Sequence, residues 1–135
     1  MKINSAKFNR IIDLLFKTAE TSLMLQRHAC AIVLGGKIVS IQENKFDKFT
    51  KHSEISAINH TKSVKLNRCV LIVIRVNRIG DVVSSKPCND CIKYIKQCGI
   101  KRIYYSSDTG FEYTNSTDLE NEHKTFYHRK MDLKK

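Results

Sequence analysis

The sequence predicts an α/β layer sandwich, and three observations carry that expectation. Apolar residues recur at helical spacing from Ser5 to about Met24, through Phe8, Ile11, Ile12, Leu15 and Ala19. Four β-prone runs, at 28–34, 37–41, 69–76 and 100–107, are separated by two further helical patterns, and interleaved helices and strands pack as layers. The chain is 135 residues long with 41% hydrophobic residues and a single proline, which suits one domain over 1–135 with a packed core.

Each element has a local reason. Ser5 or Asn4 can cap the first helix. Gly35-Gly36 between two β-prone runs reads as a hairpin turn. Residues 42–51 form a polar connection containing Asn44, Lys45 and Phe46, and a short helix then carries Ser53, Glu54, Ile55, Ala57 and Ile58. The run from Cys69 to Val76 is the most apolar in the chain, as expected of a central strand buried on both faces. A loop from Ile79 to Lys86 holds a short strand at Val82-Val83. Pro87 can open a helix because it has no N–H to lose there, and Cys91, Ile92, Ile95 and Cys98 mark its apolar face before Gly99 stops it. Asp108-Thr109-Gly110 reads as a turn into a last strand at Phe111–Thr114. A C-terminal helix is expected from Thr117 to about Met131, carrying Leu119, Phe126 and Tyr127.

The formal net charge is +11, from 24 Lys and Arg against 13 Asp and Glu. That balance favours anionic partners, whether nucleotides, nucleic acid or a membrane surface, and equally suits solvated lysine-rich faces. No apolar run approaches the roughly 18–20 residues of a membrane span, and the N-terminus has no signal-peptide core. The expected location is cytoplasmic. Five cysteines, an odd number, argue against a disulfide framework and leave thiols available to chemistry.

Chemistry concentrates in two short motifs, His52-Ser53-Glu54 and Pro87-Cys88-Asn89-Asp90-Cys91. Catalytic zinc takes three protein ligands and keeps one position open. Cys88 and Cys91, at i and i+3 near a helix N-terminus, can point to one spot, where the positive helix end favours thiolates. His52 would supply the third ligand. Cys98 lies about 10 Å further along its helix and His60 about 12 Å from His52, at 1.5 Å per residue, so neither can close the site. Cys30 and Cys69 sit in apolar strands and read as buried small hydrophobes. Glu54, two residues from His52, would stand beside the metal as a proton carrier. H-x-E alone carries no information, and C-x-x-C alone also fits a redox pair or half a zinc ribbon. Together, in order, with Pro87 before the first cysteine and helices at both motifs, they form the signature of zinc-dependent base deaminases.

The two motifs resemble the cytidine/deoxycytidylate deaminase superfamily, which includes tRNA adenosine deaminases, and the resemblance runs from roughly Ala29 to Tyr105. It implies a cytidine deaminase-like three-layer sandwich, a mixed sheet of about five strands flanked by helices, with Zn2+ as cofactor and a homo-oligomeric assembly. It also implies that Asn44 contacts sugar or base and that Ser84 matches the family's Ser/Thr in the loop before the cysteines. Ser53 stands where the family commonly has Ala, and with Pro87 it joins the expected substrate-binding set. A histidine as first ligand resembles deoxycytidylate, tRNA-adenosine and polynucleotide-cytosine deaminases. The three-residue turn before Phe111 points instead to an antiparallel last strand, as in free-nucleoside enzymes, because a parallel partner needs a crossover of about a dozen residues.

Three functions remain open on this reading. The first is hydrolytic conversion of cytosine to uracil in a nucleoside or nucleotide, with Lys45, Lys48 and Lys51 either receiving a phosphate or simply exposed. The second is deamination of adenosine or cytidine in tRNA or single-stranded nucleic acid, with Tyr104, Phe111, Phe126 or Tyr127 stacking bases or lying in the core. The third is a non-catalytic nucleic-acid-binding subunit of the same fold, against which Glu54 argues.

Overall fold

The computed structural model describes residues 5–46, 50–61 and 65–118. Helix α1 spans Ser5–Glu20 and leads into strands β1 (Arg27–Leu34) and β2 (Lys37–Glu43). They form the expected hairpin, with both turn glycines at positive φ, 59° at Gly35 and 80° at Gly36, which side chains with a Cβ rarely adopt. Two short strands, β3 (Lys45–Phe46) and β4 (Thr50–Lys51), pair with each other and deliver the chain to α2 (Ser53–Asn59). A 3-10 turn at Leu66–Arg68 precedes β5 (Val70–Val76), then β6 (Val82–Val83), α3 (Asn89–Gln97), β7 (Arg102–Ser107) and β8 (Gly110–Asn115).

The main sheet runs β2-β1-β5-β7-β8, with β6 paired antiparallel to the end of β5 at Arg75 and Val76. It is mixed. β5 and β7 are parallel, connected through α3, whereas β8 folds back antiparallel on β7 from the Ser107–Gly110 pair. The antiparallel orientation expected for the last strand is the one observed.

Strand alternation divides the core in two. Leu71 and Val73 of β5 point with Cys30 and Ile32 of β1 toward α2 and α3, meeting Ala57, Ile58, Ile92 and Ile95. Val70, Ile72, Ile74 and Val76 point the other way with Ala29, Ala31 and Val33, against Ile11, Leu15 and Ala19 of α1. Helix, sheet and helix pair are thus the three layers. Cys30 and Cys69 are fully buried, as their sequence context implies.

Three local expectations change. The first helix ends at Glu20 rather than near Met24, because Ser22 is captured by Asn44: its hydroxyl donates to Asn44 Oδ1 at 2.7 Å. The polar connection contains the β3–β4 ribbon. Helix α3 opens at Asn89, with Cys88 as its N-cap residue in extended backbone and Pro87 ahead of the cap. An extended Cys88 can turn its sulfur to the helix mouth, as cap side chains do, which a helical residue at this position would not. Tyr104 and Phe111 pack on Phe8 of α1, with ring centroids 5.0 and 5.5 Å away, so they belong to the core. Phe126, Tyr127, Lys48 and the expected C-terminal helix beyond residue 118 lie outside the described residues. No helix among the described residues is long and apolar enough to cross a membrane.

Candidate metal centre and active-site cavity

Two helix N-termini face each other at one rim of the sheet. His52 is the N-cap residue of α2 and Cys88 that of α3, both in extended backbone, and Cys91 follows in the first turn of α3. His52 Nδ1 lies 3.2 Å from Cys91 Sγ and 3.6 Å from Cys88 Sγ. All three donor atoms fall within 4.8 Å of one another. Zinc bonds of about 2.0–2.1 Å to nitrogen and 2.3 Å to sulfur, at a tetrahedral angle, separate N and S by about 3.6 Å. The observed spacing fits that ion, and so does the chemistry of the donors. A hydrogen bond from the Cys91 thiol, aided by the nearby His52, pulls the Cys88 thiol down to about 5, so it is a ready thiolate. The same bond, with burial and the Glu54 carboxylate, holds the Cys91 proton far more tightly. A metal bound between the two sulfurs would have to displace that proton.

Glu54 stands beside this cluster and is only 4% exposed. Burial raises its pKa, opposed by hydrogen bonding, including that of Ser53, and by His52. Ser53, fully buried, donates its hydroxyl to Glu54 Oε1 at 2.9 Å. That contact orients the carboxylate. A cavity of about 530 Å³ opens over these groups: Glu54, His52, Cys88, His28 and Asn44 form its polar side. Leu23, Met24 and Leu25 make an apolar lip opposite, completed by Gln26 and Lys86.

A family model for the cytidine and deoxycytidylate deaminase zinc-binding region matches residues 4–107. The chain belongs to this family. Among solved structures, cytidine deaminase from Burkholderia pseudomallei superposes with a TM-score of 0.67 over 82% of this chain and 94% of that one, at 14% identity. The dCMP deaminase of cyanophage S-TIM5 gives 0.55 in its apo form, at 22% identity over 84% and 92% of the two chains. Its complex with dCMP and dUMP gives 0.54, at 20% identity over the same shares. Such identities establish the fold: a mixed sheet flanked by helices, as in these deaminases. No curated protein matches by sequence. The family's zinc-binding region thus coincides in this member with a His52–Cys88–Cys91 cluster able to hold zinc.

The other expected site residues divide. Asn44 lines the cavity, but its amide is largely committed: Oδ1 accepts from His28 N at 2.9 Å and from the Ser22 hydroxyl, and Nδ2 donates to Gln26 O at 2.8 Å. It ties the apolar lip to the end of β2. Asn44→Ala should therefore lower stability by about 1–3 kcal/mol, since buried backbone groups lose partners. A thermal melt reads this as a Tm fall of roughly 4–12 °C. Ser84 is exposed and outside the cavity lining, and its carbonyl accepts from Arg75 Nη1 at 3.4 Å. The buried serine of that loop is Ser85, which donates to Val73 O at 2.9 Å and accepts from Ser106 N at 2.7 Å. Pro87 is buried next to Cys88 without lining the cavity. Lys45 is held by Gln42 at 2.9 Å and Glu43 at 3.8 Å, away from this cavity.

Sequence reasoning missed His28. Burial, then the Arg75 guanidinium and His52, push its imidazole down to about 4. An unfolded histidine titrates near 6.5, so between those values the unfolded chain binds a proton that the folded chain refuses. Stability contributed by neutral His28 is present above pH 6.5 and lost as pH falls toward 4. At pH 5 that loss is about 2 kcal/mol. The fall in Tm between pH 7.5 and 5 should accordingly be smaller in His28→Gln than in the wild type. Equal falls would show that His28 does not resist protonation. A bound zinc ion adds positive charge nearby and pushes the same way.

Proposed function

We propose that this family member is a zinc-dependent hydrolase that converts cytosine to uracil in a nucleoside or nucleotide. The observation that carries this reading is a buried, hydroxyl-oriented carboxylate, Glu54, opening into the same cavity as a three-donor zinc cluster. His52, Cys88 and Cys91 would hold the ion. Zinc bound there supplies a Lewis acid that makes water nucleophilic near neutral pH.

The remaining steps fall to the chain. Glu54 takes a proton from the attacking water, delivers it to the ring nitrogen beside the reacting carbon, and later passes one to the departing amine. Water enters, ammonia leaves, and the carboxylate ends as it began. Its raised affinity for protons suits that shuttle, since a carboxylate of ordinary acidity would hold a proton too weakly at neutral pH. Ser53 fixes Oε1. Asn44 keeps one N–H of its amide unengaged among the described residues, which can reach a sugar or base.

The test is ammonia release from cytidine, deoxycytidine, their monophosphates, adenosine and short oligonucleotides. Release from the free cytosine compounds is the expected result; release only from adenosine or only from oligonucleotides overturns it. The net charge of +11 favours a second reading, in which the base is presented by single-stranded nucleic acid. That reading requires oligonucleotide binding to weaken steeply with salt, by roughly a factor set by each phosphate contacted.

A further inference from the structure

His28 is a polar side chain in the cavity that neither the zinc cluster nor the proton shuttle uses. Its backbone is fixed from both sides: the amide donates to Asn44 Oδ1 at 2.9 Å, and the carbonyl accepts from Asn44 N at 3.1 Å. Across the sheet it pairs with Arg75, whose guanidinium is already occupied by Gln26 Oε1 at 3.0 and 2.7 Å. The imidazole itself has no hydrogen-bond partner among the described residues. Because no buried side-chain nitrogen or oxygen among them lacks a partner, its ring nitrogens open into the cavity.

Burial orders the lining from floor to mouth. Glu54 is 4% exposed, Asn44 7%, Leu25 66% and Leu23 fully exposed, with His28 between the first pair and the second. A base whose reacting carbon meets Glu54 leaves its sugar at the depth of His28. We propose that His28 is a specificity-determining residue that hydrogen-bonds a sugar hydroxyl of the substrate. This rests on the deaminase reading of the cavity. A hydroxyl both donates and accepts, and an imidazole donates in every protonation state, so the pair can form without either group changing charge. A substrate lacking that hydroxyl would leave a half-buried ring nitrogen unmatched, which is how a site rejects a deoxy analogue.

The experiment measures Kd for uridine, 2′-deoxyuridine, 3′-deoxyuridine and their 5′-monophosphates on zinc-loaded wild type, His28→Ala and His28→Asn, with ammonia release from the cytosine counterparts scored separately. Wild type should bind the analogue missing the contacted hydroxyl about 5- to 100-fold more weakly. In His28→Ala that penalty should fall below about 3-fold, and His28→Asn, which keeps a donor and an acceptor, should recover part of it. An unchanged penalty in His28→Ala of normal zinc content and Tm overturns the contact, as does a wild type indifferent to both hydroxyls. If the alanine variant does not fold, a His28→Leu variant with the wild-type penalty for each hydroxyl overturns it equally. Coupling without ammonia release would sink the deaminase reading and leave the His28 contact standing. Ammonia release without coupling would do the reverse, and failure of every nucleoside and every monophosphate to bind would sink both.

Discussion

Glu54→Ala, and equally Glu54→Gln, is expected to cut deamination by at least about a thousandfold while zinc remains bound in a one-to-one ratio. Both variants remove the proton carrier, but they disturb the site differently. The alanine leaves a small void where a buried carboxylate stood, and Ser53 loses the acceptor it holds at 2.9 Å. The glutamine keeps the volume and still offers an oxygen to that hydroxyl, yet it cannot take a proton from water. If the chemistry resides in proton transfer, the two variants fail alike. If Glu54 serves mainly to hold the cavity in shape, the glutamine retains most of the activity. Because burial strains the charged carboxylate, Glu54→Gln should also be at least as stable as the wild type at alkaline pH. The sign follows from the raised pKa: the folded chain binds this proton more tightly, so the favourable contribution is lost as pH rises through the folded value. Metal analysis, a melt at pH 8 and ammonia release settle the matter together. A Glu54→Gln enzyme within tenfold of wild type would remove the proposed mechanism.

How far the sequence disclosed this site depends on how locally each signal is encoded. His52, Glu54, Cys88 and Cys91 lie within two short segments, and their placement needs only that each segment opens a helix. That condition is itself local: a polar approach, a proline and an apolar i, i+4, i+7 face. The hairpin was equally legible, since Gly35-Gly36 is a turn wherever it falls between two apolar runs. Other features arise only from tertiary pairing. The β3–β4 ribbon has two residues per strand, too few for any alternation to show. The exact opening of α3 turned on whether Pro87 sits inside the helix or ahead of its cap, and both are ordinary proline positions. Asn44 was expected at the site for its likeness to a substrate contact, yet most of its bonds reach 16 to 22 residues back, to Ser22, Gln26 and His28. His28 carried no signal at all. A single histidine before an apolar strand is unremarkable until β1 is laid between β2 and β5 and its first residues arrive above Glu54.

Cys88→Ala should lose zinc, lose activity entirely, and still fold. The three outcomes separate a catalytic ion from a structural one. In a domain that depends on metal for its core, removing a ligand unfolds the chain. Here the two apolar layers either side of the sheet are built from α1, α2, α3 and the strands, and neither contains His52 or Cys88. The ion contributes only what binding to the folded state adds, about 4 kcal/mol at a free concentration a thousand times its Kd. For a domain of this size that corresponds to a Tm fall of roughly 10–20 °C. The wild type stripped with a chelator should melt at nearly the same temperature as Cys88→Ala, and adding zinc should rescue the first but not the second. Cys91→Ala should cost more than Cys88→Ala in the metal-free state, because Cys91 is fully buried against Glu54 while Cys88 is partly open. A Cys88→Ala protein that keeps full zinc and activity would mean that the ion is held elsewhere. One that unfolds outright, while the stripped wild type stays folded, would mean that Cys88 matters through packing and not through metal.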